Sequence, residues 1–230
     1  MFAPEEFFHL EGFAHRSLWK EGEPVWSGLL LLNDYLGRSL FRIEVEIPAG
    51  VHLENRGQIA IGRGTVLEPG VLIQGPCIIG KNCRVLHGAY LRSGVILGDG
   101  CTVGHAVEMK HSILFDGASA SHLCYVGDSI LGRGVNLGAG VKCANLRLDR
   151  KEISIQKIRT GLRKLGAIVG DRAQIGCNCV LNPGTVVGRE SVAHPLLNLT
   201  GVIPGRSRVK GSRALEVESI PEKILEQLLN

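Results

Sequence analysis

The sequence predicts an all-β fold, a parallel β-helix built from six-residue repeats, on two observations. An aliphatic residue recurs every six positions from Ile61 onward, and 31 of the 230 residues are glycine, about twice the usual share. Glycine spread at this density through residues 57–140 and 161–211 would break helices. A period of six fits neither an α-helix nor a simple alternating strand, and it favours short strands joined by tight turns.

The repeat keeps its register over fifteen consecutive anchor positions, with two steps of five residues, from 109 to 114 and from 126 to 131. The anchors are Ile61, Leu67, Ile73, Ile79, Val85, Leu91, Leu97, Val103, Met109, Leu114, Ala120, Val126, Leu131, Leu137 and Cys143, and the pattern resumes at Val169, Ile175, Leu181, Val187 and Ala193. Three hexads close one triangular coil, so equivalent residues of successive coils stack about 4.8 Å apart. We therefore expect the β-helix to occupy residues 47–212.

Three segments lie outside this pattern. Residues 1–46 are predicted to form a helical cap over the open end of the coil, with one helix beginning near Pro4 and a second over 25–36. The basic segment 144–166 interrupts the repeat and is expected to be an extruded loop or hairpin, either simply solvated or contacting a neighbouring subunit or an anion. Residues 213–230 are predicted to form a short C-terminal helix with Pro221 in its first turn.

Composition and charge exclude several classes of protein. Hydrophobic residues make up 44% and charged residues 21% of the chain, which excludes a disordered protein. The longest apolar run, Leu29–Leu32, is far shorter than the ~18 residues of a membrane span, so no membrane partner is expected. The N-terminus lacks a basic secretory start, and an odd count of seven cysteines suggests reduced thiols in a cytoplasm. A net charge of +4 is too mild to indicate nucleic acid.

Three motifs between Val103 and Asn145 carry a family resemblance. They are Val107-Glu108-Met109-Lys110, His122-Leu123-x-Tyr125-x-Gly127-Asp128 and Val135-Asn136-Leu137-Gly138-Ala139-Gly140. This stretch closely resembles the acetyltransferase domain of the bifunctional enzyme that makes UDP-N-acetylglucosamine. Residues 160–171 and 181–184 look more like the archaeal sugar-phosphate nucleotidylyltransferase/acetyltransferase proteins. The similarity covers about residues 60–210, and the nucleotidyltransferase domain of the family has no counterpart in this sequence.

The resemblance implies a left-handed β-helix that forms a homotrimer with its sites between subunits. It also implies an N-acetyltransferase that uses acetyl-CoA as co-substrate and an amino-sugar phosphate similar to glucosamine-1-phosphate, in nucleotide-sugar biosynthesis, without a metal ion. His122 matches the family's general base. The substrate-binding positions that match are Arg92, Lys110, Tyr125, Asn136, Asn145 and Lys151. The cofactor-binding positions that match are Ala139, Cys177 and, as alternatives for one arginine, Arg206 and Arg208.

Coil arithmetic adds a physical reason for a phosphate site. Arg92 and Lys110 are separated by three complete hexads and each directly follows an anchor, so they are expected to stack. Two neighbouring cations repel by an amount on the order of 1 kcal/mol at surface dielectric unless an anion lies between them. The stacked pair therefore indicates a phosphate site.

A second column of the coil contains three histidines. Each of its members lies two residues after an anchor, and the column runs through His87, His105, His122, Ala139, Cys177 and Pro195. Three histidines about 5 Å apart cannot all be protonated at low cost, which would keep His122 neutral near pH 7, as a base requires. The backbone N–H at Ala139 is expected to stabilise the oxyanion formed when the sugar amine attacks the thioester directly.

Two departures from the family pattern keep other functions open. Pro195 has no backbone N–H at a position where the family uses one to hold acetyl-CoA, and Leu146 replaces a tyrosine beside the sugar. One alternative is a non-catalytic trimer that binds a sugar phosphate or nucleotide sugar and partners a separate nucleotidyltransferase. Another is a zinc enzyme that uses the histidine column, as the β-helical carbonic anhydrases use histidines from two subunits.

Overall fold

The computed structural model describes residues 2–211, and it confirms the predicted parallel β-helix of six-residue repeats. Three parallel sheets of eight strands each run along the coil. The C-terminal helix expected at 213–230 lies outside the described residues. Within the described part, no helix is long and apolar enough to cross a membrane.

We name the sheets A, B and C in the order in which each coil visits them. Sheet A contains Ile59–Ile61, Cys77–Ile79, Val95–Leu97, Ser112–Leu114, Ile130–Leu131, Ala167–Val169, Thr185–Val187 and Val202–Ile203. Sheet B contains Val66–Leu67, Arg84–Val85, Thr102–His105, Ser119–His122, Asn136–Leu137, Gln174–Ile175, Val192–Ala193 and Arg208–Val209. Sheet C contains His52–Glu54, Leu72–Gln74, Tyr90–Leu91, Glu108–Lys110, Tyr125–Gly127, Lys142–Cys143, Val180–Leu181 and Asn198–Leu199.

Strand register follows the spacing of the repeat. Leu72 pairs with Tyr90, which lies three full hexads later in the chain. Met109 pairs with Val126, which comes one position short of three hexads, because one of the short steps lies between them. The anchor side chains point into the prism and form its continuous apolar core. The turns between sheets form three edges of the prism: the AB edge (for example 132–134), the BC edge (for example 138–140) and the CA edge (for example 127–129).

The helices of the N-terminal segment pack along the outer face of sheet A, not over the open end of the coil as the sequence suggested. Only the last residues of the segment pack against the core of the prism, where Ile43 pairs with Ile61 of the first coil. The outward side chains of the middle strands of this sheet are aliphatic and buried, and they are Ile96, Ile113, Ile130, Ile168 and Val186. An apolar outer face must be covered by another element. The first helix is confined to Pro4–Phe7, a 3₁₀ turn follows at Arg16–Leu18, and the second helix is Ser27–Gly37.

An aromatic cluster joins this segment to the β-helix. The ring centroid of Phe115 lies 4.6 Å from Phe8, 3.9 Å from Phe13 and 5.5 Å from Trp19. Gly28 is required beneath Trp19, because a Cβ at this position would lie 2.6 Å from the indole ring. The N-terminal segment is therefore an integral part of the packed protein.

The basic segment 144–166 contains a short antiparallel hairpin, with strands Ser154–Ile155 and Ile158–Arg159. Its charged side chains face solvent, whereas Ile153, Ile155 and Leu165 are buried in the same cluster as the N-terminal aromatic residues. The hairpin thus covers a further part of sheet A. A second 3₁₀ turn, Arg56–Gln58, precedes the first strand of sheet A.

Candidate functional site

The BC edge carries the histidine column. His105 and His122 lie opposite each other in neighbouring strands, and the rings of His87 and His105 stack with centroids 5.7 Å apart and planes 6° apart. The Nδ1 atom of His87 contacts the Pro69 carbonyl oxygen at 2.6 Å, and that of His105 contacts the His87 carbonyl oxygen at 3.0 Å. His122 lies exposed at the far end of the column.

The same edge continues from His122 to Ala139 and Cys177. The Gly140 N–H donates to the His122 carbonyl at 2.9 Å, and the Asn178 N–H donates to the Ala139 carbonyl at 2.8 Å. The N–H of Ala139 makes no hydrogen bond to another residue within 2–211. The coils approach closely here, because a Cβ on Gly138 would lie 2.7 Å from the Cys177 nitrogen. This edge therefore presents an exposed imidazole, an available amide and the exposed Cys177 thiol in one row.

The stacked imidazole rings of this edge are nearly parallel, so their nitrogens do not converge on one point. Among residues 2–211, no three His, Cys, Asp or Glu side chains are grouped so as to hold a metal ion.

A second constellation surrounds Asp128 on the CA edge. The Lys110 Nζ lies 2.8 Å from Asp128 Oδ2, and the Nδ2 of Asn145 donates a short hydrogen bond to the same oxygen. The other carboxylate oxygen, Oδ1, lies 3.3 Å from His111 Nδ1. Asp128 itself is only 5% exposed. The carboxylate therefore ties together a lysine, a histidine and the start of the inserted segment.

Burial and contacts act on the pKa of Asp128 in opposite directions. Burial raises the pKa, since it disfavours the charged form, but the contacts with His111, Lys110 and Asn145 lower it. The net effect is a pKa below the ordinary value for aspartate. The carboxylate is therefore ionised at neutral pH and holds Lys110 in place.

Arg92 and Lys110 are in neighbouring coils, as predicted, but each forms an ion pair with a carboxylate of this chain. Arg92 and Lys110 occupy adjacent rungs, since the Arg92 N–H donates to the Met109 carbonyl at 2.8 Å. The Arg92 Nη1 donates to Glu108 Oε1 at 3.0 Å, while Lys110 pairs with Asp128. These internal ion pairs offset the repulsion that would otherwise call for an external anion.

A single chain brings together four of the predicted substrate residues and leaves the others apart. Arg92, Lys110, Tyr125 and Asn145 gather around Glu108 and Asp128; Tyr125 interacts with Asn145, and its pKa is raised mainly by burial. His122, Ala139 and Cys177 lie on the neighbouring BC edge.

The remaining residues lie on other surfaces. Asn136 is exposed on sheet B, and Arg208 is exposed in the same outward column, which runs through Gln174 and Val192. Lys151 is exposed on the inserted segment. Arg206 lies on the AB edge, where its Nε donates to Glu190 at 2.8 Å, so it is not on the edge of His122.

Three members of the cluster were not predicted from the sequence as site residues, namely Glu108, His111 and Asp128. The sequence contained a signal for two of them. His111 and Asp128 are one coil apart, because this coil includes the five-residue step, and they are therefore in register. A search for opposite charges within one residue of the coil spacing would have found the Lys110–Asp128 pair, because Lys110 is in register with Gly127.

Replacing Asp128 with asparagine is expected to lower the free energy of unfolding by about 1–3 kcal/mol at pH 7, because Lys110 loses a buried charged partner. Since the folded pKa is depressed, this stabilisation is fully present above the unfolded value near pH 4 and is lost as the pH falls through the lower folded value. Urea unfolding of both proteins between pH 7 and pH 3 measures the difference.

The matched control is Asp149→Asn on the inserted segment. Asp149 pairs with Arg147 at 2.8 Å, but both side chains are exposed, so this change should alter stability little. A difference between wild type and Asp128→Asn that stays constant down to pH 3 would contradict the role assigned to the ionised carboxylate.

Comparison with known proteins places the chain in a family. A family model described as the GMPPB C-terminal domain matches residues 73–160. The uncharacterized acetyltransferase YaiX of Escherichia coli O6:K15:H31 is 31% identical over 209 residues, which are 88% of this chain and 89% of that protein.

Two bifunctional proteins match over part of their length. The bifunctional sugar-1-phosphate nucleotidylyltransferase/acetyltransferase of Sulfurisphaera tokodaii is 40% identical over 94 residues, which are 39% of this chain and 23% of that protein. The bifunctional protein GlmU of Methanococcus maripaludis is 33% identical over 186 residues, which are 80% of this chain and 45% of that protein. This chain thus spans less than half the length of either protein.

Among solved structures, the UDP-N-acetylglucosamine acyltransferase of Francisella novicida superimposes with a TM-score of 0.50 at 13% identity, covering 70% of this chain and 64% of that one. At this identity the likeness shows the fold alone. The match to YaiX, by contrast, extends over nearly the full length of both proteins at 31% identity. The chain therefore belongs to the hexapeptide-repeat acyltransferase family, as a relative of the C-terminal domain of GlmU.

Proposed function

We propose that this protein transfers the acetyl group of acetyl-CoA to the amine of an amino-sugar phosphate similar to glucosamine-1-phosphate, a step in nucleotide-sugar biosynthesis in the cytoplasm. One observation carries the proposal. The chain segment 122–128 begins at the exposed imidazole of His122 and ends at the charged cluster around Asp128, with Tyr125 between them.

The dimensions of this segment suit a sugar phosphate. Tyr125 follows His122 by three residues, with the turn of the BC edge at Leu123 between them, so the two residues lie within about 10 Å of each other. Arg92 uses one nitrogen on Glu108, and a guanidinium carries five N–H donors, so others remain for a phosphate. Lys110 likewise has three donors, one of which points to Asp128. A phosphate near Arg92 and Lys110 would leave the sugar amine directed along sheet C towards His122.

The chain's own groups can support acyl transfer. His122 is exposed and placed to accept a proton from the attacking amine, a contribution of about 10²- to 10⁴-fold in rate for a positioned base. The available N–H of Ala139, one coil away, is placed to donate to the oxyanion that develops on the thioester carbonyl. Acetyl-CoA supplies the activated acyl group, so no acyl-enzyme on Cys177 is needed.

A homotrimer with sites between subunits would account for the residues that one chain leaves apart. Asn136, Lys151 and Arg208 are exposed and lie away from the Asp128 cluster, so a neighbouring copy is needed to place them beside His122. Arg206 is the weaker of the two arginine candidates, because it lies on the AB edge and is paired with Glu190.

The proposed function is tested by measuring release of free CoA thiol from acetyl-CoA with three acceptors. We expect release with glucosamine-1-phosphate, much less with glucosamine, which lacks the phosphate, and none with glucose-1-phosphate, which lacks the amine. Equal rates with the two phosphates would mean simple thioester hydrolysis. No release above the blank with any acceptor would overturn the proposed substrate class.

A non-catalytic function as a sugar-phosphate or nucleotide-sugar-binding trimer, which partners a separate nucleotidyltransferase, is favoured by one observation. Pro195 follows Cys177 on the BC edge and offers no N–H where a third amide would otherwise lie. Titration calorimetry separates the two functions, since the binding trimer would take glucosamine-1-phosphate but not acetyl-CoA.

A further inference from the structure

A cluster of arginines on the AB edge surrounds a cavity of about 270 Å³. The cavity is lined by His9, Arg133, Asp171, Arg172, Arg189 and Glu190. Arg133, Arg172 and Arg189 come from three successive coils. The Arg172 N–H donates to the Arg133 carbonyl at 2.8 Å, which links the first coil to the second. The Glu190 N–H, next to Arg189, donates to the carbonyl of Asp171, next to Arg172, at 2.8 Å and links the second coil to the third. We propose that this cavity binds the phosphate of a phosphorylated small molecule, at a site separate from the one around His122 and Asp128.

The hydrogen-bonding state of the arginines points to a missing anion. The Nε atoms of Arg133 and Arg189 are shielded from solvent and have no hydrogen-bond partner. Arg189 lies 3.7 Å from Asp171 and Arg172 lies 3.8 Å from Glu190, both beyond hydrogen-bond length. Arg133 pairs with Asp116 through Nη1 at 3.0 Å, which leaves its Nε without an acceptor. A guanidinium N–H that is shielded from solvent and has no acceptor is costly. A phosphate has oxygens enough to satisfy several guanidinium donors at once.

The two carboxylates of the cavity are engaged elsewhere. Asp171 accepts backbone N–H groups on both oxygens, from His9 at 2.7 Å and from Arg133 at 2.8 Å. Glu190 accepts from Arg206 at 2.8 Å, which depresses the pKa of Glu190. Their charges are therefore partly compensated by other groups, and the unsatisfied Nε donors of Arg133 and Arg189 remain for an incoming anion.

An adjoining cavity defines the rest of the ligand. It has a volume of about 550 Å³ and shares Arg189 and Glu190 with the arginine cavity. Its walls include the apolar residues Phe2, Phe7, Val202, Ile203 and Pro204. Ligand sites combine such apolar walls with a few convergent polar groups. The bound molecule is therefore one that joins a phosphate to a flat or apolar group, for which a nucleoside diphosphate is a suitable probe.

Occupation of this site would affect how the N-terminal segment is held. His9 and Phe7 belong to that segment, and the Asp171 N–H donates to the Phe7 carbonyl at 3.0 Å. A ligand between His9 and the arginines would bridge the segment and the β-helix. Binding should accordingly raise the unfolding temperature, since it stabilises only the docked form.

The test uses the full chain and titration calorimetry with ADP, UDP, inorganic phosphate and adenosine, together with thermal unfolding. We expect at least one nucleoside diphosphate to bind more than about tenfold more tightly than phosphate, and adenosine not to bind. Arg189→Gln should weaken that binding by about 10- to 100-fold, the loss expected for hydrogen bonds to a charged group. Arg172→Gln, at a side chain that is 75% exposed, should weaken it as well without threatening the fold.

The control variant is Arg63→Gln, at an exposed arginine of the same edge near the first coil, which should leave binding unchanged. Nucleotide binding that survives both Arg189→Gln and Arg172→Gln would overturn the proposal. Binding that is lost in Lys110→Gln but kept in Arg189→Gln would place the nucleotide at the Asp128 cluster and overturn it as well. Absence of binding by all four compounds, or equal affinity for phosphate and nucleotide, would contradict the paired-cavity site.

Discussion

Replacing His122 with alanine is expected to lower the rate of CoA release with glucosamine-1-phosphate by about 10²- to 10⁴-fold. The imidazole is exposed, and it is the histidine of the BC-edge column that lies one coil from the available N–H of Ala139. Removing the base should affect the turnover rate far more than substrate binding, because the cations proposed to bind the phosphate lie on the CA edge. Steady-state kinetics that separate kcat from KM measure this split.

The comparison variant is His52→Ala, at an exposed histidine of the first strand of sheet C, several coils from His122. This protein should turn over at the wild-type rate. An unchanged kcat in His122→Ala would contradict general-base catalysis by this residue. An increase in KM with kcat intact would instead assign His122 a role in binding.

The strand register was predictable from the sequence because it depends only on the number of residues in each coil. Each five-residue step shortens one coil by one residue, and the pairing of Met109 with Val126 shows the resulting offset. Anchor side chains such as Leu97 and Leu131 are fully buried, as the spacing requires. The handedness, by contrast, came only from the family resemblance.

The position of the N-terminal segment was not predictable in the same way. The residues directly before the sheet A anchors, such as Ile96, Ile113 and Ile130, are aliphatic, which indicates that this face is covered. The pattern does not specify which segment covers it, because docking depends on contacts between residues far apart in the sequence. The open end of the prism and the apolar outer face of sheet A can each accept a hydrophobic segment, and the sequence pattern does not decide between them.

The candidate site was partly predictable for a related reason. Spacing correctly placed Arg92 and Lys110 on adjacent rungs, and His105 opposite His122. It did not show that Glu108 and Asp128 would meet those cations, since backbone register fixes the rung but not the direction of a long side chain. Residues such as Asn136, on another sheet, depend on how copies of the chain assemble.

The second large expected effect is a loss of stability when Phe115 is replaced with alanine. The first residue of the AB edge is glycine in most coils, at Gly62, Gly80, Gly98, Gly132, Gly170 and Gly188, and Phe115 takes this place in one coil. Its ring is fully buried among Phe8, Phe13 and Trp19. Phe115→Ala should therefore destabilise the protein by about 3–5 kcal/mol. For a chain of this length, the unfolding temperature should fall by on the order of 10 °C.

Intrinsic fluorescence shows which part of the structure loosens. Both tryptophans of the chain, Trp19 and Trp26, lie in the N-terminal segment and are buried. In Phe115→Ala, tryptophan emission should shift to the red at a lower denaturant concentration than that at which the far-ultraviolet signal of the β-helix is lost. Leu148→Ala is the control, because that side chain is fully exposed and should change neither signal.

The two transitions should separate because two different apolar clusters stabilise the protein. The anchors inside the prism form one continuous core, whereas Phe115 belongs to a second cluster between sheet A and the N-terminal segment. Loss of the Phe115 ring removes contacts only from the second. If fluorescence and far-ultraviolet signals instead change together in the variant, docking of the N-terminal segment and folding of the β-helix are one cooperative event.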